Sequence, residues 1–168
     1  YLKAFFAPVA DEVSVPPELR DRVRSLSLPE ALAELEKAAS IRPSDVPLAL
    51  ELASLCRRAG RFNAELETLQ RAALKGSADR ELAWLALAEF HRAFGLFAES
   101  LEAAQKAVER SATSSAAEQA LINALAKRYS ADPKAERAAL DKAYANAMAE
   151  AAGTVRVEAL IQEPTSAW

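Results

Sequence analysis

Residues 49–72 read ALELASLCRRAGRFNAELETLQRA, and residues 84–107 read WLALAEFHRAFGLFAESLEAAQKA. The second stretch echoes the first at an offset of about 35 residues. Leu52 and Ala53 recur as Leu87 and Ala88, Gly60-Arg-Phe62 as Gly95-Leu-Phe97, Leu66 as Leu101, and Ala72 as Ala107. A fixed period of this size marks stacked supersecondary units that cannot bury their apolar faces alone. The echo therefore predicts a small helical solenoid, an architecture whose extended surfaces bind other chains.

The composition agrees. At 168 residues the chain is one domain's worth of sequence, long enough for a continuous core. Apolar residues make up 51% and aromatics only 7%, so the apolar content is mainly Ala and Leu, both strong helix formers. With only Gly60, Gly76, Gly95 and Gly153 as glycines and few β-branched residues in the regular runs, the reading is all-α. A net charge of −3 and a pI near 5.4 give no general attraction to phosphate backbones or anionic lipid, so nucleic acid is not expected as partner. Cys56 is the single cysteine and has no internal disulfide partner, which leaves the compartment open between cytoplasm and periplasm. No apolar run approaches the roughly 20 residues that span a bilayer, and no cleavable signal pattern is present. The sequence starts at Tyr1 rather than Met, which fits a soluble piece of a membrane-anchored protein.

Along the chain, residues 1–16 are expected to be an irregular arm carrying Tyr1, Phe5, Phe6, Pro8 and Asp11-Glu12. Its aromatics suit docking back on the solenoid, contact with a partner, or a position near a membrane surface. Helix follows helix from Pro17: first about 17–26, then a second opened by the Ser27-x-x-Glu30 capping box and broken at Arg42-Pro43. A third runs about 46–59 to Gly60, a fourth about 63–75 to Gly76, a fifth about 80–94 to Gly95, and a sixth about 98–110. Ser115-x-x-Glu118 is a second capping box and opens a helix to about Tyr129, and Asp132-Pro133 opens an eighth to about Ala151. These make about four antiparallel helical hairpins over residues 17–152. After Gly153 the alternation Thr154-Val-Arg-Val-Glu-Ala-Leu-Ile161 predicts an extended tail over 153–168, with Trp168 as an anchor.

These residues resemble the tetratricopeptide repeat (TPR) family, whose units run Trp-x2-Leu-Gly-x2-Tyr, then Ala-x3-Phe, with Pro at the exit. The best unit here reads Trp84-x2-Leu87-Ala88-x2-His91, Gly95, Phe97, Ser100-x3-Ala104 and Ala107. The unit before it reads Ala49-x2-Leu52-Ala53-x2-Cys56, Gly60, Phe62, Glu65-x3-Leu69 and Ala72, with Ser77 where the exit proline falls. The flanking hairpins are degenerate: Ala31-x3-Leu35, Ala38 and Pro43 on one side, Leu121 alone on the other. The resemblance implies a TPR-like α-solenoid with two good repeats, in which Ala53, Ala72, Ala88 and Ala107 mark close helix crossings. Phe62 and Phe97 would plug the gap to the next hairpin.

Chemistry finds little to stand on. His91, the single histidine, falls at the family's tyrosine slot, and Cys56 falls at the same slot one repeat earlier. One packing position thus accounts for both. No further His or Cys completes a metal set, and no phosphate loop or nucleophile elbow occurs, so no metal, cofactor or catalysis is expected. The resemblance instead directs attention to the concave wall. It maps there Leu50, Ser54, Arg57 and Arg58, then Leu82, Leu85, Glu89 and Arg92, then Gln119, Asn123 and Lys127. Arg57, Arg58, Arg92 and Lys127 would make that wall locally basic, suited to an amphipathic helix or extended peptide bearing carboxylates. The expected function is a non-catalytic scaffold or adaptor for a protein partner, in texture bacterial and of the kind found in envelope assembly or secretion complexes (pilus, exopolysaccharide, cytochrome maturation). The alternatives are an RNA-binding helical repeat and a self-associating subunit.

Overall fold

The computed structural model describes residues 15–76 and 78–162, with side chains described as far as Thr154. All regular structure among them is helical. The α-helices are α1 (Pro17–Ser25), α2 (Leu28–Ile41), α3 (Val46–Arg58), α4 (Phe62–Lys75), α5 (Arg80–Ala93), α6 (Phe97–Arg110), α7 (Ala116–Ala126) and α8 (Arg137–Gln162). A 3-10 turn, Ser111–Thr113, follows α6. The irregular arm expected over residues 1–16 lies outside the described residues up to position 14; Val15 is buried.

Local chemistry sets where each helix starts. Glu30 accepts from the Ser27 N–H at 3.0 Å, and Glu118 accepts from the Ser115 N–H at 2.9 Å while Ser115 Oγ accepts from the Glu118 N–H. Both expected capping boxes are thus formed. Asp45 caps α3 by accepting from the Leu48 N–H at 3.0 Å, ahead of a proline in the first turn.

The ends of α3 and α5 are the same structure made twice. Gly60 and Gly95 sit at φ +71° and +76°, the left-handed conformation that lets a helix stop. The Gly60 N–H bonds to Arg57 O at 3.0 Å and the Arg61 N–H to Cys56 O at 2.8 Å. In the second stretch, the Gly95 N–H bonds to Arg92 O at 3.1 Å and the Leu96 N–H to His91 O at 2.9 Å. This is the paired Schellman pattern, repeated at the offset read from the sequence.

The chain divides into two compact units, residues 1–87 and 88–168, the boundary falling inside α5. In the first unit α1 packs on α2, α2 on α3 and α3 on α4. Their core holds Val15, Leu19, Val23, Leu32, Leu35, Leu48, Leu52, Leu55 and Cys56. In the second unit α6 packs on α7 and α7 on α8, around buried Ala103, Ala104, Ala107, Ile122 and Leu125. Ser100 Oγ donates to Ala88 O at 2.8 Å and ties α6 to the end of α5. Ala53, Ala72, Ala88 and Ala107 are all buried, as close helix contacts require.

Three expectations need correction. The tail expected from Gly153 is helical: α8 continues through Gly153 to Gln162, and 163–168 lie outside the described residues. An interior glycine costs a helix only about 1 kcal/mol, and extending an existing alanine-rich helix avoids the nucleation penalty a new element would face. The same helix starts at Arg137, not at Pro133, because Asp132 closes a turn instead: its Oδ1 accepts from the Lys134 N–H at 2.8 Å and its carbonyl from the Ala135 N–H at 3.1 Å. Phe62, expected to fill a gap, is 43% exposed, while Phe97 is half-buried.

Candidate functional site

The residues mapped to the concave wall fall on both units, and each unit stands by itself here. In the first, Leu50, Ser54 and Leu82 are half-buried and Arg58 is exposed. Leu85 is 1% exposed and is a core residue, so it cannot offer a side chain to a partner. In the second, Glu89, Arg92 and Gln119 are half-buried, and Asn123 and Lys127 are exposed. Gln119 donates to Ser114 O at 2.8 Å, and Asn123 donates to Gln119 O at 2.8 Å, so both amides are engaged by their own helix end.

The two central arginines are not the bare cations that the sequence suggested. Arg57 donates from Nε to Glu65 Oε1 at 2.7 Å across the α3–α4 turn. Glu65 is 3% exposed, and its Oε2 is buried without a hydrogen-bond partner. Burial pushes its carboxyl above the ordinary range, and Arg57 only partly offsets that. At the equivalent point of the next hairpin, 35 residues on, Ser100 replaces Glu65 and bonds the backbone instead.

Arg92, the counterpart of Arg57, therefore turns to a different acid. It donates from Nε to Glu89 Oε2 at 3.1 Å and from Nη2 to Glu89 Oε1. Tyr129 adds its hydroxyl to Glu89 Oε2 at 3.2 Å. Burial alone would raise the Glu89 carboxyl, but the bonds from Arg92 and Tyr129 outweigh it and hold the group below the carboxylate range. Burial, with Glu89 beside it, pushes the Tyr129 phenol strongly up. One register position thus carries an arginine in both repeats, neutralised by two unrelated carboxylates.

Sequence reasoning missed Glu65 and Tyr129 as partners. The signal for Glu65 was present, as an acid just past a glycine turn from Arg57, at the register where the next stretch has Ser100. Tyr129 carried no signal, since its partner lies 40 residues away.

His91 and Cys56 occupy equivalent places with different results. Cys56 is buried, and its thiol is raised first of all by desolvation. His91 is half-buried, edge-on to Phe90 at 5.9 Å between ring centroids, with Nδ1 buried and unbonded. Desolvation holds it below the usual imidazole range, against the pull of Glu99 and Glu102. Among the described residues no group of three or more His, Cys, Asp or Glu could hold a metal ion.

Of the basic residues expected on a concave wall, Arg58 in the first unit and Lys127 in the second are each exposed and without an ion pair among the described residues. Exposed apolar side chains add to the surface: Phe94 at 47% and Leu96 at 42% sit at the α5–α6 turn, and Leu74 at 60% on α4. Comparisons with protein-family models, with curated proteins and with solved structures find no match for this chain.

Proposed function

We propose that this chain is a non-catalytic helical-repeat scaffold of the TPR type, which holds a protein segment or a partner subunit on its surface. The observation that carries the reading is the hairpin turn made twice, with the same left-handed glycine and the same two backbone bonds at Gly60 and Gly95. Units that repeat in this way bury one face against their neighbours and leave another to a partner. The polar pairs support the same reading: buried Glu65 is paired by Arg57, and half-buried Glu89 by Arg92 and Tyr129. They orient helices, and binding is left to the exposed positions.

Arg58 and Lys127 are the cations to which a carboxylate-bearing segment would come. Affinity capture from the source cells, with wild type beside Arg58→Glu and Lys127→Glu, tests this. Both side chains are exposed, so each variant is expected to melt within a few degrees of wild type. At least one of them should capture its protein partner about tenfold less well, the size of one lost charge-assisted contact. Capture unchanged in both would move the interface off these two positions. RNA retained on a filter in low salt, with no protein captured, would favour the nucleic-acid reading instead.

A further inference from the structure

In the first unit, residues 37–44 at the end of α2 carry Lys37 and Arg42 and no acid, and residues 68–78 at the end of α4 carry Arg71 and Lys75 and no acid. Lys37, Arg71 and Lys75 are exposed and without an ion pair among the described residues, while Arg42 is paired with Asp45 at 3.1 Å. Arg80 adds a cation at the last turn of α4, where it donates to Ala73 O and Leu74 O. The next acids along these stretches are Glu36, paired with Arg61, then Asp45, exposed Glu67 and half-buried Asp79. Among the cations stand Ile41, 72% exposed, and Leu74, 60% exposed, the two most exposed large apolar side chains of the described residues. Ile41 lies four residues after Lys37, and Leu74 three after Arg71, so each shares a helix stripe with a cation.

The two helix ends adjoin, because Ala39 and Arg42 line one narrow crevice together with Thr68, Arg71 and Ala72 of α4. Its free volume is about 10 Å³, room for one water and for no side chain. This end of the unit therefore offers projecting apolar side chains among cations, and no hole. A phospholipid surface matches that arrangement, since its phosphates meet cations and its acyl boundary takes isolated apolar side chains. A nucleic-acid backbone would leave Ile41 and Leu74 unused, and a bound peptide would want a groove. The net charge of −3 does not oppose it, because at physiological salt charges more than about 8 Å away are largely screened.

From this we infer that the adjoining ends of α2 and α4 form a docking surface for an anionic phospholipid bilayer, with Ile41 and Leu74 inserted and Lys37, Arg71 and Lys75 on the headgroup phosphates. No helix among the described residues is long and apolar enough to cross a membrane, so this contact is peripheral. Arg58 and Lys127 take no part in it, and it stands or falls separately from capture of a protein partner.

Co-sedimentation of the full chain with vesicles tests it, using phosphatidylcholine alone beside an equimolar mixture of phosphatidylcholine and phosphatidylglycerol. Wild type should bind the anionic vesicles at least about tenfold more tightly than the neutral ones, with the difference shrinking as salt is raised. Arg71→Gln with Lys75→Gln should weaken anionic binding about tenfold, and Ile41→Ser with Leu74→Ser by a similar factor. All four side chains are exposed, so these variants are expected to fold. Lys134→Gln with Lys142→Gln removes the same charge at exposed positions of the second unit and should leave binding within about twofold. No binding to the anionic vesicles, or equal binding to the neutral ones, would overturn the inference. So would an equal loss in Lys134→Gln with Lys142→Gln, which would make the attraction a matter of net charge. Serine variants that bind as wild type does would overturn insertion, and an acidic protein segment would replace the lipid as occupant.

Discussion

Arg57→Ala is expected to destabilise the first unit by about 2–3 kcal/mol, measured by urea unfolding at neutral pH. The cost arises at Glu65, not at Arg57. The arginine side chain is 41% exposed and can return its charge to water in other contexts, but the glutamate side chain is 4% exposed and has nowhere to go. Removing one member of a buried pair strands the other, and here the stranded carboxylate already has one oxygen without a partner. Glu65→Leu should be far milder, within about 1 kcal/mol of wild type, because no buried charge remains.

The pH dependence gives a second reading of the same variant. Folding raises the Glu65 carboxyl above its ordinary value of 4.5. A carboxyl raised in this way contributes most when protonated, below that ordinary value, and loses its contribution as pH rises through the folded value. Without Arg57 the gap widens, so the deficit of Arg57→Ala should be greatest near neutrality and shrink toward about pH 4. Equal stability of Arg57→Ala and wild type at neutral pH would mean that Glu65 is hydrated in solution. Arg92→Ala should cost less, about 1 kcal/mol, because Glu89 is half-buried and keeps Tyr129 as a donor.

Gly76→Ala is expected to cost about 2–3 kcal/mol for a different reason. Gly76 has ordinary negative φ, so its conformation suits any residue; the space around it does not. A Cβ there would lie 2.4 Å from Val46 Cγ2, 2.6 Å from Ala72 O and 3.0 Å from Arg80 Cγ. Arg80 is itself fixed nearby, donating to Ala73 O at 3.1 Å and to Leu74 O at 2.8 Å. Val46 is 1% exposed and cannot swing away. Trimming it removes the Val46 contact and leaves the one with Ala72 O, so Gly76→Ala with Val46→Ala is expected to cost about 1 kcal/mol less than the sum of the two single changes. Strict additivity would show that the contact with Ala72 O, and not the one with Val46, sets the cost.

The echo between residues 49–72 and 84–107 was legible because turn chemistry is local. A glycine at the helix end fixes the left-handed stop, and serine with glutamate three residues on fixes the start. What the sequence hid depends on distant pairing. A lone arginine reads as a free surface cation until the acid beneath it is located, and Glu65 and Glu89 engage Arg57 and Arg92 in ion pairs. Leu85 looks like a wall residue by register, but on α5 the whole run from Ala83 to Ala88 is buried, leaving no face for a partner there. The segment after Gly153 alternates like a strand, yet it simply continues a helix already nucleated. These findings change how a binding surface can be probed: reversing Arg57 or Arg92 would test folding, whereas Arg58 and Lys127 can be reversed without stranding a charge.

The scaffold reading rests on the two hairpins being one unit used twice, and Gly60→Ala beside Gly95→Ala tests that most directly. An added Cβ meets nothing within 4 Å at either position, so the loss of stability reports the left-handed backbone alone. Equal costs of about 1 kcal/mol each, by urea unfolding, are the predicted result. A cost at one glycine and none at the other would mean that the two turns differ, and the repeat with its implied stacking would not stand.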